Sequence, residues 1–483
     1  MGVEERPRAT PDETGISSCY NSTSTLIRNP DGSLTVELRK EVKTSVEYNP
    51  YEHRNVQHPN GFAGAFLHIV KTSLGTGVLA IPRAFKSAGL LVGLFGCILV
   101  GTICAHTIHI LVRSSQKICK KTRTPSLGFA DTAEGCFKLG PTWLRRYSSA
   151  AKIFVEAGLF CVHFLADSVY LVFISISINK LVSAHYPEIE SWGDYSIKLI
   201  LLVPLLICAQ IRELKHLVPF SFIANIMLLV SFSITGYYMF SGITEVKLQD
   251  RSLATGLSGI PSFLSTVLFS MEGIGTIMPV ENSMITPRFL GCAGVLNAAM
   301  GVIIVVFTAI GFFGYYRFGE ETAATITANL PSQEIPAEIA QAAITLAVFF
   351  SFMLVFYVPV DIVWSRLKHH IPHSRWNLSQ ILLRSLLIVI ATGAKSRLFS
   401  PKTPAVLPGI AIAGGDNLGL LIDIVGAVFL SILGLFVPAF LEVIADWEDG
   451  WGTFHWRLIK DFVIMALALF GLVSGLFSAI KDM

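Results

Sequence analysis

The sequence predicts an all-α integral membrane protein, and its composition and apolar runs carry that prediction. Of its 483 residues, 52% are hydrophobic and only 15% are charged, and the mean hydropathy is +0.59. These values are typical of chains that reside in a bilayer rather than in water. Apolar runs of roughly twenty residues, the length with which a helix crosses the hydrocarbon core, recur along the chain. Helices are expected because a spanning segment must satisfy its own backbone polar groups.

Eleven such runs follow a polar N-terminal stretch. Residues 1–58 are rich in Ser, Thr, Asn, Glu and Arg and show little apolar periodicity, which predicts a disordered tail. Residues 59–483 then form one predicted transmembrane domain with eleven membrane-spanning helices. The runs lie near 62–85, 88–112, 150–179, 196–211, 217–241, 257–280, 292–316, 336–360, 379–394, 418–444 and 458–480.

Lysine and arginine predict the orientation of the chain. The segment 113–149, between the second and third runs, is strongly basic. By the positive-inside rule this segment lies in the cytoplasm, and so does the N-terminal tail. An odd number of spans then places the C-terminus on the opposite face.

The first apolar run contains helix breakers that a membrane-spanning helix normally avoids. It reads His-Ile-Val-Lys-Thr-Ser-Leu-Gly-Thr-Gly-Val-Leu-Ala-Ile-Pro from His68 to Pro82. One interpretation is a helix that breaks at mid-membrane and presents bare backbone groups to a small polar ligand. The other is a glycine-rich face for close helix packing. On this stretch alone, the two stand equal.

The sixth run repeats the pattern, which favours the binding interpretation. Gly75, Gly77 and Pro82 in the first run correspond to Gly273, Gly275 and Pro279 in the sixth. Paired, interrupted spans at matching positions of two halves indicate a binding site near the bilayer midplane. Five spans per half is an odd number, so the halves have opposite orientations. The predicted architecture is a five-plus-five inverted repeat, 62–241 and 257–444, with an extra helix at 458–480.

A zwitterionic amino acid fits such a site. Helix N-termini at the breaks offer N–H groups and partial positive charge to a carboxylate, and exposed carbonyls suit an ammonium group. Tyr357, in the eighth run, either closes the pocket or only packs. The candidate substrate-binding residues are Thr72, Ser73, Gly75, Thr76, Gly77, Phe269, Ser270, Gly273, Gly275 and Tyr357.

Ionisable residues inside the apolar runs are candidates for carrying protons, because each is costly in contact with lipid. His68 has an unperturbed pKa in the physiological range, although the residues alone favour a neutral histidine bonded to a neighbouring carbonyl. Lys71 and Glu272 adjoin the two breaks and either pair for structure or take part in coupling. In the third run, His163 and Asp167 share one helical face.

Five segments resemble the proton-coupled amino acid transporter branch of the amino acid/auxin permease family. They are HIVKTSLGTGVLAIPRAFKSAG, FSMEGIGTIMPVENSM, GYYRFGEETAATITANLP, FYVPVDIVW and FVPAFLEV. The resemblance implies a LeuT-like fold and proton symport of small neutral amino acids. It also implies residence in the plasma membrane or the lysosomal or endosomal membrane. His68 has the spacing of the family's coupling histidine, so it and Glu272 are the predicted proton-coupling residues. Lys71-Thr72-Ser73-Leu74 departs from the Lys-Gly-Asn-Ile that is frequent in the family, which bears on the substrate range.

Other classes of function fit the sequence less well. No catalytic triad, P-loop or metal motif is present, so an enzyme is not expected. No cofactor is expected either, and protons are the predicted coupling ion. The cluster of His369, His370 and His373 lacks a defined fourth ligand and predicts a solvated loop rather than a metal site. An ion channel would show a re-entrant loop and a ring of like charge, and neither is visible. An amino-acid-sensing transceptor with little net transport remains the alternative. The expected partners are a small neutral amino acid and the lipid bilayer, without nucleic acid.

Overall fold

A computed structural model describes residues 18–28, 34–44, 48–56, 59–186, 193–212, 214–271, 273–331, 333–392 and 418–481. Their regular structure is helical apart from one β-hairpin. The helices are α1 (Phe62–Ser73), α2 (Thr76–Ala88), α3 (Leu90–Thr122), α4 (Phe129–Leu139), α5 (Thr142–Arg145), α6 (Ser148–Ser183), α7 (Gly193–Cys208), α8 (Leu214–Phe240), α9 (Ile260–Met271), α10 (Ile274–Asn282), α11 (Val295–Phe318), α12 (Ile335–Leu367), α13 (Trp376–Ala391), α14 (Leu418–Ile424), α15 (Val437–Ala445) and α16 (Trp456–Lys481). A π-helical segment, Val425–Phe436, joins α14 to α15.

The described helices give a smaller number of candidate membrane spans than the sequence predicts. Each predicted apolar run falls on a helix or on consecutive helices. Eight helical stretches are long and apolar enough to cross a membrane, or nine if the bent pair α1–α2 is one span. The helices α7 and α13 have 16 residues each, fewer than the roughly 20 that a straight crossing needs. The described helices therefore provide eight or nine candidate crossings rather than eleven.

The helices pack into two groups that meet along α6. In the first group α2 lies against α9 and α11, and α9 also contacts the π-helical segment and α16. In the second group α12 packs between α6 and α8, with α7 and α13 at its side. The helix α6 also contacts the π-helical segment, so it lines the boundary between the groups.

Part of the N-terminal stretch has regular structure where the sequence predicts disorder. The strands β1 (Ser18–Arg28) and β2 (Leu34–Thr44) pair antiparallel, with Ser18 opposite Thr44. Leu34, Val36 and Leu38 alternate with polar residues in β2, the period that favours a strand. The prediction of disorder weighed overall polarity and overlooked this local alternation.

The residues 48–56 also differ from the prediction, because they pack on the helices instead of forming a free tail. A short 3₁₀ turn, Pro50–His53, is capped by the side chain of Asn49. It is followed by Arg54, a buried residue. The ordered domain therefore begins before the predicted boundary at residue 58.

Candidate substrate site at two broken helices

The first break separates α1 from α2 at Leu74 and Gly75. The two helix axes differ by 54°. The amide of Leu74 still donates to the Val70 carbonyl at 3.0 Å, whereas the amide of Gly75 donates to Ser73 at 2.9 Å. No side chain caps the N-terminus of α2. The first amides of α2 therefore point into the break with the positive end of the helix dipole, as the sequence predicts.

The second break separates α9 from α10 and bends the span less than the first break does. The helix α9 ends at Met271 and α10 begins at Ile274. Gly273 is the N-cap residue of α10, and no side chain caps this N-terminus. The amides of Thr276 and Ile277 both donate to the Gly273 carbonyl, at 2.9 and 3.2 Å. The stretch Leu257–Asn282 still qualifies as one span. Glu272, one of the two predicted coupling residues, lies outside the described residues.

The two broken helices run antiparallel, so that their breaks meet. The helix α2 packs on α9, and α1 packs on α10. At the far ends, the amide of Asn60 donates to Ser283 and that of Thr255 donates to Ala88, both at 3.0 Å. An antiparallel pair of broken helices is the arrangement that an inverted repeat requires.

The glycines at the breaks differ in how much room surrounds them. A Cβ on Gly77 would lie 2.6 Å from Ser270 Cα, and the Ser270 hydroxyl donates to the Gly77 carbonyl at 2.8 Å. Gly77 thus serves close helix packing, the interpretation that the sequence left open. A Cβ on Gly273 would meet only Thr276 Oγ1 at 3.5 Å and Ser73 Oγ at 3.8 Å. Gly273 therefore has looser surroundings than Gly77 among the described residues.

One face of α6 packs against both breaks. A Cβ on Gly75 would lie 3.3 Å from the Tyr170 hydroxyl, which also adjoins Thr76. A Cβ on Gly275 would lie 2.5 Å from His163 Cε1 and 2.8 Å from Nε2. His163 Nδ1 lies 2.8 Å from the Leu159 carbonyl. Because a carbonyl only accepts, Nδ1 carries the hydrogen, and neutral His163 keeps an acceptor nitrogen at the second break. The sequence pairs His163 with Asp167 but gives no sign that they face the breaks.

The structure brings together most of the predicted binding residues. Ser73, Thr76 and Ser270 are buried polar residues between the broken helices. Phe269 packs partly buried on the main hydrophobic core. Together with the glycines described above, they line the meeting point of the breaks.

Other predicted residues lie outside this point. His68 and Thr72 are exposed on α1, and the Thr72 hydroxyl donates to the His68 carbonyl at 2.8 Å. Lys71 is exposed too, and its ammonium group binds the hydroxyl of Ser221 on α8. Tyr357 is half-buried on α12, within electrostatic range of Arg384 on α13. The sequence could not distinguish a place for Tyr357 at the pocket from simple packing, because helical periodicity shows which residues share a face of α12 but not which helix that face contacts.

An ion pair joins the helices at one end of the site. Arg83 of α2 binds Asp423 of α14, with Nη2 2.8 Å from Oδ2. Ser262 and Thr266 of α9 also donate to this carboxylate, at 2.9 and 2.7 Å. The pair therefore ties α2, α9 and α14 together beyond the first break.

A second ion pair closes the opposite end. Arg54 binds Glu281 of α10 with Nη2 2.8 Å from Oε2, and the two side chains are 2% and 1% exposed. Tyr51 donates to the same carboxylate at 2.9 Å, and Arg54 also donates to the carbonyls of Glu281 and Met284, at 2.7 and 2.8 Å. Burial and the negative charge of Glu281 raise the pKa of the Tyr51 hydroxyl above its ordinary value. The segment 48–56 is thus fixed across the end of α10.

The two ion pairs follow the internal repeat. Arg83 lies eight residues after Gly75, and Glu281 lies eight residues after Gly273. Eight helical residues span about 12 Å, so each charge sits at a similar depth beyond its break. The equal spacing of Arg83 and Glu281 from the breaks is visible in the sequence. Their partners, Asp423 and Arg54, come from distant segments, so the sequence alone does not predict the two ion pairs.

A separate cavity of about 380 Å³ opens between α6 and α12, away from the breaks. Glu156 and Arg366 form an ion pair at its wall. Most of its lining is apolar, as for Phe160 and Leu367. It shares none of the predicted binding residues.

Comparisons with known proteins identify the family. The model of the family described as "Transmembrane amino acid transporter protein" matches residues 58–481. The "Proton-coupled amino acid transporter-like protein pathetic" of Drosophila melanogaster is 35% identical over 442 residues, which are 90% of this chain and 88% of that protein. The "Probable amino acid transporter skat-1" of Caenorhabditis elegans is 24% identical over 427 residues, 86% of this chain and 88% of that one.

Two solved structures show a weaker likeness. MhsT in complex with L-phenylalanine has a TM-score of 0.48 and 13% identity, covering 88% of this chain and all of that one. The nucleobase-cation-symport-1 family transporter Mhp1, closed with bromovinylhydantoin bound, has a TM-score of 0.47 and 11% identity, covering 90% and 93%.

The family match confirms the resemblance found in the five sequence segments. A family of transporters that covers most of the chain, together with long apolar helices, identifies an integral membrane protein that is not an enzyme. The chain belongs to the transmembrane amino acid transporter family.

Proposed function

We propose that this protein is a secondary active transporter that carries small neutral amino acids together with protons by alternating access. The proposed architecture is a LeuT-like five-plus-five inverted repeat, 62–241 and 257–444, with the extra helix 458–480 and eleven crossings. In this arrangement the short helices α7 and α13 cross with the help of flanking residues or local bilayer thinning, as short spans do.

The meeting of the two breaks is the observation that carries the proposal. Uncapped N-termini of α2 and α10 offer amide donors and partial positive charge to a carboxylate. The hydroxyls of Ser73 and Thr76 lie beside them. Carbonyls at the ends of α1 and α9 suit an ammonium group. These groups recognise the part of an amino acid that all amino acids share.

Crowding around the breaks supports a small substrate. Ser270 fills the space at Gly77, and His163 fills the space at Gly275. Tyr170 stands over Gly75. The looser surroundings of Gly273, beside Ser73, favour a short side chain such as that of glycine or alanine.

The two ion pairs supply the gates of an alternating-access cycle. Arg83–Asp423 and Arg54–Glu281 lie beyond the site at opposite ends of the antiparallel pair. Both pairs are formed in this structure, and in the proposed cycle this arrangement is the conformation closed at both ends. Opening one pair while the other holds would expose the site to one side at a time.

His68 and Glu272 are the proposed proton-coupling residues. The Drosophila relative, which is named as proton-coupled, supports coupling to protons. The His68 ring is exposed on α1, and it makes no hydrogen bond or ion pair with the described residues, so no described side chain competes for its ring nitrogens. The proposed location is the plasma membrane or the lysosomal or endosomal membrane, with the N-terminus in the cytoplasm.

Uptake into proteoliposomes tests the proposal. Purified protein would be given labelled glycine, alanine, proline or phenylalanine, with and without an inward proton gradient. We expect accumulation of the small neutral amino acids above equilibrium only when the gradient is present. Saturable binding without accumulation under any gradient would instead establish the transceptor function.

A further inference from the structure

Three polar side chains form a stripe along the face of α6 that meets the breaks. His163, Asp167 and Tyr170 stand at positions i, i+4 and i+7, the spacing of one helical face. His163 touches the second break at Gly275 and Tyr170 touches the first at Gly75. Asp167 lies between them, about one helical turn from each. It is therefore the carboxyl group of α6 nearest to both breaks.

Asp167 lacks a partner that would stabilise a negative charge. Its side chain is 0% exposed, and neither carboxyl oxygen has a hydrogen-bond partner among the described residues. By contrast, Asp423 and Glu281, at the two ends of the site, each bind an arginine.

The charged groups on the elements packed against α6 are engaged elsewhere. On α4, Asp131 and Glu134 bind Lys152. On α12, Arg366 binds Glu156 and Glu338 faces His185, while Asp361 and Tyr357 lie near Arg384 of α13. The α14 carboxylate, Asp423, holds Arg83, and the π-helical segment has no titratable residue. On α7 the side chains of Asp194, Tyr195 and Lys198 fall outside the described residues. Tyr170 is the titratable group that faces Asp167, and it brings no positive charge.

A buried carboxyl group in these surroundings is stable only in its neutral form. The charged form would lose its hydration without gaining an ion pair or a hydrogen bond. In the closed conformation described here, Asp167 therefore holds a proton. When the helices part and water reaches the breaks, the charged form becomes accessible and the proton can leave.

We propose that Asp167 is the site that carries the transported proton while both ends of the pathway are closed. This inference rests on the proposed symport function and deepens it. His68 on α1 remains a proposed coupling residue outside the buried stripe, whereas Asp167 keeps the proton inside during the change of conformation. A neutral Asp167 favours closure of α6 on the breaks, and loss of the proton favours an open, hydrated state.

The substitution Asp167→Asn tests the assignment, because asparagine has the size of a protonated aspartate but cannot release a proton. Asp361→Asn is the matched control, since Asp361 is an exposed carboxyl group on α12. Wild type and both variants would be reconstituted, and three quantities measured. These are accumulation of labelled alanine under a proton gradient, proton entry with a pH-sensitive dye, and alanine binding between pH 5.5 and 7.5.

We expect Asp167→Asn to lose accumulation and alanine-driven proton entry, while its alanine binding persists and no longer varies with pH. Asp361→Asn should match wild type in all three measurements.

Proton-driven accumulation by Asp167→Asn at the wild-type level would overturn the assignment. So would loss of alanine binding at every pH in folded Asp167→Asn, which would make Asp167 a ligand of the substrate ammonium group. Accumulation driven by a sodium gradient at constant pH, and lost in Asp167→Asn, would make it a sodium ligand. Wild type that accumulates nothing under any gradient would contradict the symport proposal itself, a result separate from these.

Discussion

Gly77 and Gly273 look alike in the sequence, yet the structure gives them different tasks. Gly77 allows the backbones of α2 and α9 to touch, because a Cβ there would lie 2.6 Å from Ser270 Cα. At Gly273 a Cβ would make only ordinary contacts, with Thr276 Oγ1 at 3.5 Å and Ser73 Oγ at 3.8 Å. The motif thus combines the two interpretations that its composition allows, packing and ligand approach, at separate residues.

This difference makes a prediction about stability. Gly77→Ala should destabilise the protein by about 1–3 kcal/mol, the usual cost of overpacking a tight contact. Gly273→Ala should change the thermal unfolding temperature little and should weaken amino acid binding instead. Thermal unfolding and alanine binding of the two variants in detergent provide the measurement. Equal loss of stability in both would contradict the separation of tasks.

His68 provides a second prediction at the scale of one residue. His68→Ala should remove proton-driven accumulation of alanine and leave saturable alanine binding, because the backbone groups at the breaks remain. Uptake and binding in parallel would check it. Concentrative uptake at the wild-type rate would show that the exposed ring has no part in coupling.

Arg54–Glu281 is a link between elements, since it fastens the segment 48–56 to the end of α10. Removing one partner leaves the other charge buried and unpaired, which costs roughly 3–5 kcal/mol. Arg54→Ala should therefore lower the thermal unfolding temperature strongly. The double variant Arg54→Met with Glu281→Leu should recover part of that loss, because no charge stays buried. If the double variant is as unstable as Arg54→Ala, the loss of stability does not come from the unpaired buried charge of Glu281.

Arg83–Asp423 should affect transport more than binding. Asp423 also accepts hydrogen bonds from Ser262 and Thr266, so the protein should still fold without the arginine. We expect Arg83→Gln to reduce the maximal rate of alanine uptake with little change in alanine affinity, because closure at that end loses its ion pair. An unchanged maximal rate would remove this pair from the set of gates.

The elements show how far the sequence predicts this site. The breaks at Gly75 and Gly273 were predictable, because glycine and proline in an apolar run leave backbone groups that need another partner. The stripe of α6 was predictable only as a helical face, since spacing does not reveal that His163 meets Gly275. The burial of Arg54 was missed because its partners, the Glu281 carboxylate and the carbonyls of Glu281 and Met284, lie more than 200 residues away, and the overall polarity of the segment indicates disorder. The predicted runs 196–211 and 379–394 are as short as the helices α7 and α13, at 16 residues each, so the sequence already marked these two as the spans with the least length to cross a bilayer.

Orientation is a property of the whole molecule, and glycosylation tests it. With the N-terminus in the cytoplasm, the sequons at Asn21 and Asn377 should carry no glycan in the native protein. The segment 181–195 joins the third and fourth predicted runs, so the same rule places it on the outer side, and a sequon made there by Glu188→Asn with Glu190→Thr should be glycosylated. A glycan at Asn377, or none at the engineered outer site, would contradict the orientation.

The central claim is that an amino acid binds where the two broken helices meet. A cryo-electron microscopy structure in lipid nanodiscs at acidic pH, with saturating alanine, measures this most directly. We predict ligand density beside Ser73 and Gly273, with the carboxylate at the first amides of α2 or α10 and both ion pairs formed. Alanine density in the separate cavity at Glu156 and Arg366, with the breaks empty, would contradict the account.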